Sequence, residues 1–265
     1  MTLTPTKAYA LYKSQSDALL DFAVLVAHSM PALRNEIQLV KSGTHPALPR
    51  PDFFHKSNRS IPDDLLKTEA RYEPYLASYV LLAHFSFFEA FVEDLIKEMI
   101  MFHGGEKNFI ARIENRLRRF ATRQSPEVLK MKRKLQDAEK PKWRDSYRKY
   151  SRGLDDVGFR FPGELLAAYG VRSLILKMKK LKAFEIPDVL VEALQVDLSE
   201  AELKKYHQIR DIRNGVAHGD PVKLTIRQAV EMNGALRDLA LKISSHLAEH
   251  FFVIEKYVPG NLFSV

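Results

Sequence analysis

One short stretch of this sequence brings together residue types that can manage a phosphate and a proton: Ile209-Arg-Asp-Ile-Arg-Asn-Gly-Val-Ala-His-Gly-Asp220. Arg213 carries a guanidinium that stays protonated and offers a planar fork of donors matched to phosphate oxygens. An unperturbed imidazole titrates near about pH 6.5, so His218 can act as base or acid at neutral pH. Asn214 can orient that imidazole or hold a phosphate oxygen. An RNA strand carries its own nucleophile, the 2′-hydroxyl beside each phosphate. Cleaving it needs a group to take that proton, a group to protonate the leaving 5′-oxygen, and positive charge where the phosphorane develops. Removing one aimed donor of that kind typically costs about 3 to 4 kcal/mol of transition-state stabilisation. No step of this chemistry requires a metal. The competing reading is structural: a basic residue near a helix C-terminus and a histidine making a buried interhelical hydrogen bond.

The elements around the stretch must aim these groups. Ser199 and Glu202 have the spacing of a capping box and predict a helix from near Ser199 towards Arg213; Thr225 and Gln228 repeat the signature and predict a long helix to about Ile254. Between them Gly215, Gly219 and Pro221 weaken the helix. In an unbroken helix, side chains five residues apart are rotated by about 500°, so Arg213 and His218 would point roughly 140° apart. The sequence therefore predicts unwinding between Asn214 and Gly219, which would turn both side chains towards one pocket.

Elsewhere helix signals dominate and strand signals are sparse, so the expected class is all-α. Thr6 to Met30 carries Tyr9, Tyr12, Leu19, Leu20, Ala23, Val24 and Ala27 at helical spacing, with an expected stop at Pro31. Pro46, Pro49, Pro51, Pro62 and Pro74 mark Gly43 to Pro74 as an irregular connection and an internal boundary. Tyr75 to His103 is the most apolar helix; Leu81, Phe85, Phe88, Val92, Leu95 and Met99 form one stripe, which Phe87 and Phe91 widen into a core or interface helix. Gly104-Gly105 ends it. Helical segments are expected over Glu106–Phe120, Pro126–Ala138, Glu164–Leu181 and Pro187–Gln195. The domain reading is an N-terminal helix and connection over 1–74 and a helical domain over 75–265 with a basic insertion at 106–160.

The chain has no cysteine, which excludes disulfides, thiolate metal sites and a cysteine nucleophile and suits a cytoplasmic location. Met1 to Tyr9 lacks the pattern of a signal peptide. The apolar run Tyr79 to Val92 is interrupted by His84 and Glu89 and is shorter than the roughly 20 residues of a membrane span, so no membrane partner is expected. The net charge is +8, and Arg112 to Lys149 alone holds fourteen basic against five acidic residues. That concentration favours a polyanionic partner, nucleic acid first and an acidic membrane surface second, with an ordinary solvated helix surface an equal competing reading on composition alone. Phe120, Trp143 and Tyr147 are interleaved with these charges, with Tyr150 just beyond, as core residues or as platforms for unpaired bases. There is no His-Glu-x-x-His, no glycine-rich phosphate loop and no Gly-x-Ser-x-Gly elbow. His246 and His250 lie four apart but have no carboxylate at a persuasive spacing, so neither a metal nor a cofactor is expected.

Arg213-Asn214-Gly-Val-Ala-His218 resembles the signature of the HEPN superfamily: Arg, a polar residue, three variable residues, then His. The helix holding Phe87-Phe88-Glu89-Ala90-Phe91 looks like the long apolar helix, with its acidic residue, of RNase-LS-like and related prokaryotic branches. The resemblance implies a HEPN-like helical bundle with added N-terminal and inserted helices. It implies catalytic roles for Arg213, Asn214 and His218 and a supporting role for Glu89, although Ser86, Glu89, Glu93 and Lys97 also fit a solvent stripe. It implies a homodimer with two motifs at one composite cleft, and a toxin or phage-defence role restrained by an antitoxin or regulatory partner protein. Lys205, Arg210, Arg118 and Arg119 are the candidate substrate-binding residues, an ion pair with Asp211 being the competing reading for Arg210. The expectation is a metal-independent endoribonuclease acting on single-stranded or looped RNA, a tRNA anticodon loop among its candidate targets. The rival is a non-catalytic helical RNA-binding or assembly subunit.

Overall fold

A computed structural model describes residues 6–48, 62–111, 170–220 and 223–252. Among the described residues the fold is built on α1 (Lys7–Lys41), α2 (Pro62–Glu69), α3 (Tyr72–Phe102), α4 (Val171–Met178), α5 (Glu200–His218) and α6 (Ile226–His250). Helix resumes over 105–111, and a 3-10 turn, an α turn and a π turn run in series from Ala183 to Ala193 between α4 and α5. No strand occurs among the described residues, and the all-α expectation holds. The helices expected over Glu106–Phe120 and Pro126–Ala138, the start of Glu164–Leu181, and the basic stretch with its aromatics lie wholly or mostly outside the described residues.

Three proline expectations need correction. Pro31 does not stop the first helix, which continues to Lys41 with Pro31 inside it. A proline there forfeits one backbone hydrogen bond, and its position is solvent-exposed. Pro62 opens α2 and Pro74 lies in the first turn of α3, so part of the expected irregular connection is helix. First-turn positions have no intrahelical acceptor for their N–H, which is why proline initiates there as readily as it interrupts elsewhere. Gly104 and Gly105 do end α3, with φ of 92° and 84°.

The chain folds as two compact units, neither of them a continuous stretch of sequence. The first comprises 1–12, 88–210 and 237–265. Its core includes Phe88, Phe91, Leu95, Met99, Phe109, Leu190 and Tyr206, with Ile243, Leu247 and Phe251 of the C-terminal part. Tyr12 is buried against Phe88 and Phe91, and burial raises its hydroxyl pKa far above the usual tyrosine value. Glu98 of α3 accepts the first N–H groups of α1, from Lys7 at 3.0 Å and Ala8 at 2.9 Å, a negative charge where a helix start is positive. His103 donates through Nε2 to the Phe251 carbonyl at 2.6 Å while stacked on Phe109.

The second unit comprises 13–87 and 211–236. Ala23, Ile37, Val80, Leu81, Phe85, Ala229 and Leu236 are buried in it. So is Glu69, whose carboxylate is paired with Arg34. At its centre three polar side chains from three helices meet. Ser16 donates to Asn233 Oδ1 at 3.1 Å, and His84 Nε2 lies 2.7 Å from the same hydroxyl oxygen. With the hydroxyl proton directed to the amide oxygen, the Ser16 oxygen is left to accept from His84 Nε2–H.

By length and apolar composition alone, α1 and α3 would each reach across a bilayer. Half of the relevant window of α3 is buried within the protein, against 11% of that of α1.

Candidate active site

The helix that carries the signature is built as its caps dictate. Ser199 N donates to Glu202 Oε2 at 2.7 Å and Glu202 N donates to Ser199 Oγ at 3.3 Å, the reciprocal box that the sequence predicts. Lys242 adds its ammonium at 2.9 Å, and these hydrogen bonds lower the Glu202 pKa to about 2. The next box forms too: Thr225 N reaches Gln228 Oε1 at 3.0 Å and Gln228 N reaches Thr225 Oγ1 at 3.2 Å, opening α6.

The predicted unwinding near Gly215 does not occur. Helix α5 is continuous to His218, and Gly215 lies inside it. One glycine within a helix costs only about 0.5 to 1 kcal/mol relative to alanine, too little to break an otherwise capped helix. The chain turns one residue after the signature. Gly219 takes φ 83°, its N–H bonds the Val216 carbonyl at 3.1 Å and the Asp220 N–H bonds the Gly215 carbonyl at 2.9 Å. That pair of bonds is a Schellman stop, and His218 is the last residue before it.

A continuous helix leaves Arg213 and His218 roughly 140° apart around its axis. The two environments differ accordingly. Arg213 is half-buried, its guanidinium carbon 5.2 Å from the centroid of the Phe85 ring, and its Nη1 donates to Asn214 Oδ1 at 3.0 Å. His218 is exposed. Asn214 stands between them in angle, since a residue four before another on a helix is its neighbour on the surface. The fold thus brings Arg213 and Asn214 together, while the geometry of a continuous helix directs the His218 side chain away from that of Arg213 within one chain.

Glu89, Lys205 and Arg210 belong to the first unit, whereas Arg213, Asn214 and His218 belong to the second. Glu89 is half-buried on α3, and the solvent stripe expected around it forms in part: Lys97 pairs with Asp94 at 3.1 Å and Glu93 at 3.6 Å. Arg118 and Arg119 lie outside the described residues. Among the described residues, no group of three or more His, Asp or Glu side chains is arranged to hold a metal ion. His246 donates through Nε2 to the Leu194 carbonyl at 2.8 Å, which commits one nitrogen of the His246–His250 pair to the backbone.

Sequence periodicity puts Phe85 in the apolar stripe but does not reveal its place under Arg213. It also marks His84 only as an interruption of that stripe. A histidine followed by Phe85, Phe87 and Phe88 inside a core helix is the available signal, because such a ring needs polar partners when buried.

The capped helix carrying Arg213, Asn214 and His218 and the long aromatic core helix α3 are the elements that the resemblance to the HEPN superfamily implies. The RiboL-PSP-HEPN family model matches residues 52–249, about three quarters of the chain, and the chain belongs to that family. The matched region takes in both α3 and the Arg213–His218 signature. Membership associates the protein with nuclease-type, RNA-directed function. No curated protein and no solved structure matched.

Proposed function

We propose that the protein is a metal-independent endoribonuclease that cuts single-stranded or looped RNA, with a tRNA anticodon loop among its candidate targets. The observation that carries this reading is the Arg213–Asn214 pair on α5, a half-buried guanidinium already fixed in direction, followed by an exposed His218 in the HEPN spacing. His218 takes the 2′-hydroxyl proton and returns it to the leaving 5′-oxygen, Arg213 neutralises the developing phosphorane, and Asn214 keeps the guanidinium in place. Attack by the 2′-hydroxyl leaves a 2′,3′-cyclic phosphate and a free 5′-hydroxyl.

The continuous helix makes a second copy of the chain part of this proposal. Because Arg213 and His218 diverge within one chain, the phosphate would be gripped by Arg213 of one protomer and reached by His218 of the other, in a homodimer with two composite sites. Glu89, Lys205, Arg210, Arg118 and Arg119 remain candidate supporting and substrate-binding residues. A toxin or defence role, held in check by an antitoxin or regulatory protein in the cytoplasm, fits an enzyme that needs no metal or cofactor to act.

The same continuous helix favours a second reading, a non-catalytic helical RNA-binding or assembly subunit whose Arg213 is part of the packing. Wild type, Arg213→Ala and His218→Ala incubated with mixed RNAs in EDTA separate the two. Chelator-resistant cleavage lost in both variants supports the enzyme; equal RNA binding with no cleavage by any of the three supports the subunit.

A further inference from the structure

We infer that Phe85 is a positioning residue for Arg213, holding the guanidinium of the proposed site by its ring face and passing to it the rigidity of the core of the second unit. This inference rests on the nuclease reading of the site and adds a residue that the signature does not contain.

Contacts with Phe85 and Asn214 confine the Arg213 fork. Its guanidinium carbon lies 5.2 Å from the Phe85 centroid, within the range of a cation–π contact, and Nη1 is bonded to Asn214 Oδ1 at 3.0 Å. The ring removes the freedom to swing towards one face, and the amide fixes rotation about the terminal bonds. A flexible arginine would have to be ordered as the phosphorane forms, whereas this one is ordered beforehand.

The ring itself is held. Phe85 is fully buried. The residue before it, His84, is tied by Nε2 to Ser16 of α1, which is tied in turn to Asn233 of α6, and the His84 ring packs edge-on against Phe87. These directional contacts at the neighbouring residue fix the rotation of this turn of α3 about its axis, and so the direction in which the Phe85 ring faces. An aliphatic residue at 85 would fill space but would offer the cation no quadrupole.

The test uses the full-length protein with isotope-labelled arginine, in wild type, Phe85→Leu and Phe85→Met, each also combined with Arg213→Lys, which assigns the Arg213 resonances. Thermal unfolding establishes that each variant is folded, and Phe85→Met guards against a void left by leucine. We expect the Arg213 side-chain resonances to be displaced by the ring current in wild type and to return to ordinary positions in both Phe85 variants, with other arginines unmoved. On a cleavable RNA, kcat falls about tenfold to thirtyfold, equivalent to about 1.4 to 2 kcal/mol, with KM nearly unchanged. In the Arg213→Lys background the Phe85 substitutions add little further loss.

Undisplaced Arg213 resonances in wild type would overturn the inference. So would Phe85→Leu slowing the Arg213→Lys enzyme as much as it slows wild type, because the ring would then act only as packing. If wild type cleaves no RNA at all, the nuclease reading fails separately, and the displaced resonances alone decide whether Phe85 holds the guanidinium.

Discussion

The two chemically loaded ends of the signature, five residues apart on one helix, are built in opposite ways. Arg213 sits in a half-buried seat, against the Phe85 ring and bonded to its neighbour Asn214. His218 is exposed on the last turn, immediately before the Gly219 stop. The contrast teaches that the anion-binding half of the proposed site is preset within one chain. The proton-transfer half is presented outward, where a second molecule, RNA or protein, can meet it. A pattern of residues that reads as one pocket in the sequence is in space a seat and a probe.

The sharpest way to break that comparison is to remove each half. Arg213→Ala and His218→Ala should each lower RNA cleavage by about a hundredfold or more, the usual scale for losing an aimed donor or a proton-transfer group. Co-refolding the two variants in equal amounts should restore roughly a quarter of wild-type turnover, because half of the dimers would hold one intact composite site of two. No recovery, with dimers formed, would mean that both groups act within one chain and that α5 must bend to let them.

Next come two glycines that separate a continuous helix from a bent one. Gly219 needs its left-handed φ of 83°, and an added Cβ there meets nothing within 4 Å, so the cost of Gly219→Ala is purely conformational. It should destabilise by about 1 to 2 kcal/mol, read as a melting point lower by several degrees. Gly215 is helical, and Gly215→Ala should stabilise by about 0.5 to 1 kcal/mol. A loss of stability at position 215 would point back to the unwound junction.

The smallest expected effect lies at the other end of α5 and depends on pH. Glu202 has its pKa lowered to about 2 by Lys242 and by the Ser199 backbone and hydroxyl. A carboxylate with a depressed folded value contributes stability above its unfolded pKa of about 4.3. That contribution fades as pH falls from there towards 2. The melting-point gap between wild type and Glu202→Gln should therefore be constant above about pH 5 and close progressively in acid. A gap that persists unchanged at pH 2.5 would show that the ionised carboxylate is not its source.

What was legible in the sequence was local. Both capping boxes form as expected, because Ser199 with Glu202 and Thr225 with Gln228 need only each other. The Arg213–Asn214–His218 signature, and the superfamily it resembles, agree with the family match over 52–249. Errors arise where a local preference is overruled. Gly215, expected to bend its helix, lies in one that continues between its caps, and Pro31, expected to stop a helix, lies in one that runs on with the proline exposed. The contacts of Arg213 with Phe85 and of Ser16 with His84 and Asn233 were out of reach, since they join residues far apart in the chain through the packing of helices. The Val189–Ala193 π turn and the left-handed Gln195, φ 51°, carry no composition cue that differs from ordinary helix and loop.

The hydroxyl of Ser16, shared between the ring of His84 and the amide of Asn233, knots together three helices whose residues are 68 and 217 positions apart. None of the three can separate without abandoning a buried polar partner, so this part of the molecule should open in a single event. In deuterated solvent the backbone amides flanking residues 16, 84 and 233 would then exchange at one common slow rate, in advance of which only the frayed helix ends would lose their protons.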